Sequence, residues 1–104
     1  MDNKKYTIKY SETFMQQFNN ILKYFIYKLK NKIAAENFYN EVVVEIEKRS
    51  KNPKNFEKYK SSRKRKDTYY KINVKNYTIF YVVKNNIMEV RRIYYSKRDF
   101  KSLI

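Results

Sequence analysis

Residues 68–74 read TYYKINV, residues 77–83 read YTIFYVV and residues 87–95 read IMEVRRIYY. All three runs are rich in β-branched and aromatic residues, and short polar segments, Lys-Asn at 75–76 and Lys-Asn-Asn at 84–86, separate them. This pattern predicts three β-strands joined by two tight turns, which form an antiparallel meander. Because the chain contains no glycine, we expect asparagine to adopt the left-handed backbone angles of the turns.

The alternation of side chains along the three strands predicts which residues share a face of the sheet. In the first strand, Ile72 and Val74 fall on one face and Lys71 on the other. The second strand has few polar residues, as expected for a strand flanked on both sides. Strict alternation in the third strand predicts that Arg91 and Arg92 emerge on opposite faces.

The N-terminal part of the chain predicts a short strand followed by a helix. From Lys5 to Tyr10 apolar and polar residues alternate, which is typical of a strand with one buried face. Ser11 is placed to cap the following helix. From Glu12 to Lys30 the apolar residues recur at spacings of three and four, which predicts a helix with one apolar stripe.

A second helix is predicted after Asn31, which is suited to be a hinge and a cap. Its apolar stripe runs to about Ser50, and Asn52-Pro53 prevents it from continuing. Two helices joined by so few residues pack as antiparallel neighbours. The chain of 104 residues is therefore predicted to be a single domain, residues 1–104, of the α+β class, with the helix hairpin packed on one face of the sheet.

The charge of the chain favours an anionic partner. The chain has 25 basic and ten acidic residues, which gives a net charge of +15. Nucleic acid is the first candidate, an acidic protein the second and a membrane surface the third. An AT-rich genome would account for much of the lysine and tyrosine, but it does not account for the shortage of acidic residues.

The composition also excludes several kinds of chemistry. Without cysteine there is no disulfide and no thiolate metal site, and without histidine the usual acid or base at neutral pH is missing. We therefore expect no metal and no cofactor, and any catalysis must use Lys, Arg, Tyr or a carboxylate. No signal peptide or membrane-spanning stretch is apparent, so a cytoplasmic location is expected.

The segment 52–67 has no hydrophobic period and is strongly basic. Such a run is typical of a solvated loop and also of a contact with a phosphate backbone. We predict that nucleic acid is bound by cations of this segment and of the C-terminal region: Lys60, Arg63, Lys64, Arg65, Lys66 and Lys97.

A second group of phosphate-binding side chains comes from the meander and the residues after it, namely Lys71, Arg92, Tyr95, Lys97 and Arg98. Cations beside tyrosine on a sheet are suited to RNA, because aromatic rings stack on bases and cations hold phosphates. Taken singly, each tyrosine of the meander is explained as well by cross-strand packing.

The ordered set of sequence segments resembles the RelE/ParE superfamily of small toxins from type II toxin–antitoxin pairs. The segments that carry the resemblance span nearly the whole chain: residues 6–11 (YTIKYS), 31–38 (NKIAAENF), Asn52-Pro53, 70–74 (YKINV), 77–81 (YTIFY), 90–95 (VRRIYY) and 97–99 (KRD).

The resemblance implies a growth-inhibiting toxin that a cognate, acidic antitoxin silences by wrapping around it. RelE-like members cut mRNA on the ribosome without a metal, and ParE-like members bind DNA gyrase and need no catalytic residues. By position, Lys71 matches a catalytic lysine of the RelE-like enzymes and Arg98 an arginine that holds the phosphate. Arg92 and Tyr95 complete the candidate catalytic set, with Tyr95 as acid or base if neighbouring cations lower its pKa.

Three positions depart from the RelE-like pattern. Asn73 stands where those enzymes have a second lysine, Thr78 where they have an arginine, and Ile104 near a tyrosine. The resemblance thus leaves two mechanisms open, ribosome-dependent mRNA cleavage and gyrase inhibition. No membrane partner and no small-molecule cofactor are expected. The alternative from another class is a non-toxic, basic RNA- or DNA-binding module.

Overall fold

The computed structural model describes residues 6–60, 66–101 and 103–104. Within these residues a helix hairpin packs on a mixed sheet of five strands. The strands are β1 (Thr7–Tyr10), β2 (Lys58–Tyr59), β3 (Tyr69–Val74), β4 (Tyr77–Lys84) and β5 (Ile87–Tyr95), and the helices are α1 (Glu12–Lys23), a π-helical turn (Tyr24–Lys28) and α2 (Lys32–Arg49). The predicted α+β fold, with its hairpin and meander, is confirmed. None of these helices is long and apolar enough to cross a bilayer.

The strand order in the sheet is β1-β5-β4-β3-β2. Strands β3, β4 and β5 form the predicted antiparallel meander, and β1 pairs in parallel with β5. The two-residue strand β2 pairs with Tyr69 and Tyr70, so part of the segment that lacks a hydrophobic period belongs to the sheet. No local pattern predicts this strand, because two residues are too few to show an alternation.

Both predicted helix caps are present. The Oγ of Ser11 accepts a hydrogen bond from the backbone N–H of Phe14 at 3.0 Å, and the Oδ1 of Asn31 accepts one from Ala34 at 3.0 Å. Between the helices the backbone widens into the π-helical turn and then reverses at Lys30, which has a positive φ of 52°. The start of each helix is thus fixed by a side-chain cap, at Ser11 for α1 and at Asn31 for α2.

The main core lies between the hairpin and one face of the sheet. Its buried members from the two helices are Phe14, Phe18, Phe38, Val42 and Ile46, and those from the sheet are Tyr70, Ile72, Val74, Ile79, Tyr81, Met88, Val90 and Ile93. A smaller apolar cluster of Phe80, Tyr94 and Ile104 covers the opposite face. The central strand β4 is therefore buried on both sides, as its composition predicts.

The two hairpin turns of the meander have the same backbone geometry. In each, the first residue of a two-residue loop has a positive φ: 52° at Lys75 and 56° at Asn85. The prediction that asparagine takes the left-handed angle is right for the second turn and wrong for the first. The twist of the strands requires the left-handed angle at that position of the loop, whichever residue occupies it.

Strand β5 contains a β-bulge that changes the direction of its side chains. Phe80 lies opposite Arg92 and Tyr81 lies opposite Val90, so Arg91 is an extra residue in the ladder. Ile93 consequently returns to the main core. The prediction that the two arginines emerge on opposite faces is wrong, because the bulge places both on the face away from the helices.

Candidate functional site

The face of the sheet away from the helices carries Lys71, Arg92 and Arg98, three of the four predicted catalytic residues. We call it the outer face; it comprises the aromatic residues Tyr59, Tyr69, Phe80, Tyr94 and Phe100 and the cations Lys71, Arg91, Arg92 and Arg98. Phe100, Leu103 and Ile104 fold back on it, with the backbone N–H groups of Leu103 and Ile104 donating to the carbonyl of Phe100. Ile104 is 2% exposed, so it belongs to the packing of this face.

Lys71 and Arg92 lie in one row across the sheet. Both are Cα partners of Phe80, which lies between them on β4. Two strand spacings separate their backbones by about 10 Å, a span that two long cationic side chains can close around one anionic group. Arg92 also donates to the carbonyl of Arg91 at 2.8 Å, which holds its guanidinium over the sheet.

Cations of the outer face lie against tyrosine rings. The Nζ of Lys71 is 5.9 Å from the ring centroid of Tyr59, and the Cζ of Arg98 is 5.3 Å from that of Tyr94. These distances are within the range of cation–π attraction. Lys71 and Arg98 are exposed, so the attraction orients them while their charges stay open to a partner.

Arg91 shares the outer face with Arg92, contrary to the prediction of opposite faces, and it is absent from the predicted site residues. Its guanidinium donates to Asp67 at 2.9 Å, to Glu89 at 2.8 Å and to the hydroxyl of Tyr69 at 3.2 Å. Burial lowers the pKa of Arg91, but the hydrogen bonds to Tyr69, Glu89 and Asp67 outweigh it and raise that pKa above its ordinary value. Arg91 is therefore a charged side chain that three partners hold in place.

Asp67 connects the basic segment 52–67, which we call the basic loop, to the outer face. Besides Arg91, its carboxylate pairs with Lys84 at 3.3 Å. The hydrogen bond from Arg91 and the weaker one from Lys84 hold the pKa of Asp67 below its ordinary value, against the effect of burial. The C-terminal end of the basic loop is thus fixed on β4 and β5.

Neutral hydrogen bonds occupy the positions where the resemblance implies further cations. The Oγ1 of Thr78 donates to the Oδ1 of Asn73 at 2.9 Å and shares a hydrogen bond of 2.8 Å with the Oγ of Ser96. Thr78 is buried and pairs in register with Asn73. This part of the outer face therefore supplies no positive charge of its own.

Tyr95 lies on the helix side of the sheet. It is the Cα partner of Tyr77, and the two rings meet edge to face at 5.8 Å. Tyr77 in turn packs on Phe38 of α2. The predicted catalytic set is thus divided by the sheet: Lys71, Arg92 and Arg98 share the outer face, and Tyr95 does not join them.

The predicted nucleic-acid-binding residues are described in part. Lys60, Lys66 and Lys97 are exposed. Arg63, Lys64 and Arg65 lie outside the described residues.

Tyr95 borders an open cleft of about 780 Å³ between the hairpin and the end of the meander. Its walls are mostly apolar and come from three parts of the chain: Ile21, Tyr24, Phe25 and Leu29 of the first half of the hairpin, Ala34 and Phe38 of α2, and Lys75, Tyr77 and Tyr95 of the meander and its first turn. Asn20, Asn37 and Asn76 also line it. Burial, with the neighbouring Tyr24 and Tyr95, raises the pKa of Tyr77, so its hydroxyl stays neutral. The cleft is suited to an apolar side of a partner.

Arg49 and Tyr81 fix the loop that leads from the hairpin to β2. The buried Tyr81 donates its hydroxyl to the carbonyl of Pro53 at 2.8 Å and accepts from Arg49 at 2.9 Å. Arg49 also donates to the carbonyl of Lys71 at 3.1 Å, and its guanidinium lies 3.6 Å from the ring centroid of Phe56. Sequence periodicity cannot identify these contacts, since they join three distant segments.

Comparison with known proteins agrees with this geometry. The family model for the ParE toxin of type II toxin–antitoxin systems matches residues 8–100. A solved structure described as the chromosomal ParDE TA system from P. aeruginosa superposes with a TM-score of 0.72 and is 9% identical, covering 89% of this chain and 98% of that chain. At this identity the superposition shows a shared fold. Comparison with curated proteins gives no match.

Proposed function

The chain belongs to the ParE toxin family of type II toxin–antitoxin systems, and from this premise we propose that it arrests bacterial growth by binding DNA gyrase until a cognate antitoxin neutralises it. Gyrase acts on chromosomal DNA, so the proposal puts the protein in the cytoplasm. The cationic and aromatic outer face, centred on Lys71 and Arg92, is the proposed contact surface for the target.

One observation carries this choice of mechanism: the neutral network of Asn73, Thr78 and Ser96. Cleavage of RNA through its 2′-hydroxyl produces a phosphorane with extra negative charge, which densely placed cations must stabilise. In the network, hydroxyl and amide groups satisfy one another at the place where the RelE-like pattern has Lys and Arg. Binding to a protein target needs no such concentration of charge, so the network favours gyrase inhibition.

A supercoiling assay with purified gyrase and relaxed plasmid tests this proposal. We expect the toxin to block supercoiling, and we expect a variant with Lys71→Gln and Arg92→Gln to require much more protein for the same effect. The matched control carries Lys51→Gln and Lys54→Gln, which remove the same charge from the exposed loop after α2. Full supercoiling at a large excess of the unchanged toxin would contradict the proposal.

The second candidate is ribosome-dependent mRNA cleavage, and the grouping of Lys71, Arg92 and Arg98 on one face favours it. In this mechanism the lysine and the two arginines hold the scissile phosphate, and neither a metal nor a cofactor takes part. Primer extension on mRNA from cells that express the toxin tests it. If new breaks appear within reading frames, and if they are absent when Arg98→Gln is expressed, mRNA cleavage would replace gyrase inhibition as the proposed function.

The antitoxin is proposed to be an acidic segment that orders as it binds, with apolar side chains that enter the cleft beside Tyr77 and Phe25. The apolar walls of the cleft and the cation Lys75 at its border support this chemistry. Copurification with a small acidic protein encoded next to the toxin gene is the expected result. If the chain is soluble, non-toxic and without such a partner when expressed alone, a plain nucleic-acid-binding module with steep salt dependence becomes the better account.

A further inference from the structure

The end of the helix hairpin carries an exposed surface that extends beyond the cleft proposed for the antitoxin, which it shares only through Tyr24, Phe25 and Leu29. We call residues 23–33 the hairpin tip; they read KYFIYKLKNKI. The exposed fractions of its large apolar residues are 48% for Tyr24, 73% for Tyr27, 49% for Leu29 and 70% for Ile33. Exposed isoleucine and leucine with tyrosine form an apolar patch, and such a patch favours a partner that removes it from water.

The same tip is a concentrated site of positive charge. Lys23, Lys28, Lys30 and Lys32 are all exposed. No acidic residue occurs between Glu12 and Glu36 in the sequence. Lysines and exposed apolar residues are therefore interspersed along the tip, and the hydrocarbon stems of the lysines can lie along an apolar surface while their ammonium groups stay in water.

The backbone of the tip is held in shape by its own hydrogen bonds. The N–H of Leu29 donates to the carbonyl of Tyr24 at 3.0 Å, and that of Asn31 donates to Phe25 at 2.9 Å. Asn31 also caps α2. Tyr27 and Ile33 are thus displayed on an ordered turn, and neither lines the cleft beside the sheet.

We propose that the hairpin tip docks on an anionic phospholipid surface, with Tyr27, Leu29 and Ile33 at the boundary between headgroups and acyl chains. The surface of such a bilayer supplies both kinds of contact: its headgroup phosphates can bind the four lysines, and its acyl chains can bury the aliphatic side chains. A second copy of the chain is repelled by its charge of +15. Nucleic acid gives isoleucine and leucine no dehydrated contact. The proposal replaces the expectation that no membrane is bound, and it concerns the surface of a bilayer only.

Vesicle binding by the purified chain tests the proposal without gyrase, ribosomes or antitoxin, so its failure leaves the proposed function untouched. Vesicles of equal parts phosphatidylglycerol and phosphatidylcholine should sediment the protein, and vesicles of phosphatidylcholine alone should not. Each lysine near an anionic surface contributes about a fivefold change in affinity. Lys30→Gln with Lys32→Gln should therefore weaken binding about 25-fold.

The matched control is the variant with Lys51→Gln and Lys54→Gln. These lysines follow the far end of α2, about 27 Å from the tip, and their loss changes the net charge by the same amount. We expect less than a threefold effect. Equal weakening in both variants would overturn the proposal, because it would show attraction by overall charge rather than docking of the tip.

A tryptophan reporter tests insertion directly, because the chain contains no tryptophan. Tyr27→Trp should shift its emission to shorter wavelength and become protected from acrylamide when the anionic vesicles are added. Val44→Trp, at an exposed position three turns along α2, should show neither change. No shift at position 27 would refute lipid docking. If the variant with Tyr27→Ser and Ile33→Ser lost binding to DNA but kept binding to the vesicles, lipid docking would also be refuted, and the tip would be assigned to another anion.

Discussion

Replacing Tyr81 with phenylalanine tests how the sheet holds the loop after the helix hairpin. The side chain of Tyr81 is fully buried, and its hydroxyl joins the carbonyl of Pro53 to the guanidinium of Arg49. Burial raises the pKa of Tyr81, against the effect of Arg49, so the hydroxyl is a proton donor at all ordinary pH values. Tyr81→Phe keeps the ring and leaves the buried carbonyl of Pro53 without this donor.

The cost follows from the loss of a buried donor. An unsatisfied buried acceptor costs about 1–3 kcal/mol, and we expect about 2 kcal/mol for Tyr81→Phe. In a chain of this length that corresponds to a fall in Tm of about 10 °C. Urea denaturation followed by circular dichroism gives the free energy of unfolding. Tyr27→Phe, the same change at an exposed position, should alter it by less than about 0.5 kcal/mol.

A double-mutant cycle identifies the interaction. Arg49→Met removes the guanidinium that contacts Tyr81, Lys71 and Phe56. If the hydroxyl of Tyr81 acts through Arg49 as well as through Pro53, the two substitutions together should cost about 1 kcal/mol less than the sum of each alone. A loss below about 0.5 kcal/mol for Tyr81→Phe would refute the reasoning, since it would mean that Pro53 finds another donor.

Three further substitutions have expected outcomes. Asp67→Asn should lower the free energy of unfolding at neutral pH. Because the pKa of Asp67 is depressed, the difference in this free energy between the variant and the unchanged protein should shrink as pH falls from about 4 through that pKa. Urea unfolding from pH 7 to 2 measures this difference. Ser11→Ala removes the N-cap of α1 and a donor to the carbonyl of Arg91, so the free energy of unfolding should fall by about 1–2 kcal/mol. Phe38→Ala, at a side chain 1% exposed between hairpin and sheet, should cost about 3–5 kcal/mol, and a loss below about 1 kcal/mol would contradict the described core.

Much of the fold is predictable from the sequence because periodicity and caps act locally. The helix stripes, the caps at Ser11 and Asn31 and the central position of β4 all follow from spacing and residue type. The short strand β2 and its pairing with Tyr69 and Tyr70 depend on contacts between distant residues and have no local pattern.

The candidate site is less predictable, because one inserted residue reverses the direction of side chains in a strand. The bulge at Arg91 places Arg91 and Arg92 on the same face, where Arg91 binds Asp67 and Glu89. Tyr95 is separated from Lys71 by the sheet itself, although both belong to the meander. Assigning either residue to a face requires the register of the whole sheet.

The outer face combines residues that match the RelE-like pattern with neutral groups that depart from it. Lys71 and Arg98 match the expected residue types, and both lie on tyrosine rings of the outer face. The packing of Ile104 and the hydrogen bonds of Thr78 occupy the neighbouring positions with neutral groups. The account therefore depends on whether the remaining cations bind a target.

The most direct test of that claim is growth arrest by variants of the outer face. The toxin with Lys71→Gln and Arg92→Gln is expressed without its antitoxin, beside the unchanged toxin and the control with Lys51→Gln and Lys54→Gln. The account predicts that the unchanged toxin and the control stop growth, while the outer-face variant accumulates as a folded protein and permits it. Growth arrest by the outer-face variant at the same protein level would contradict the assignment of this face to the target.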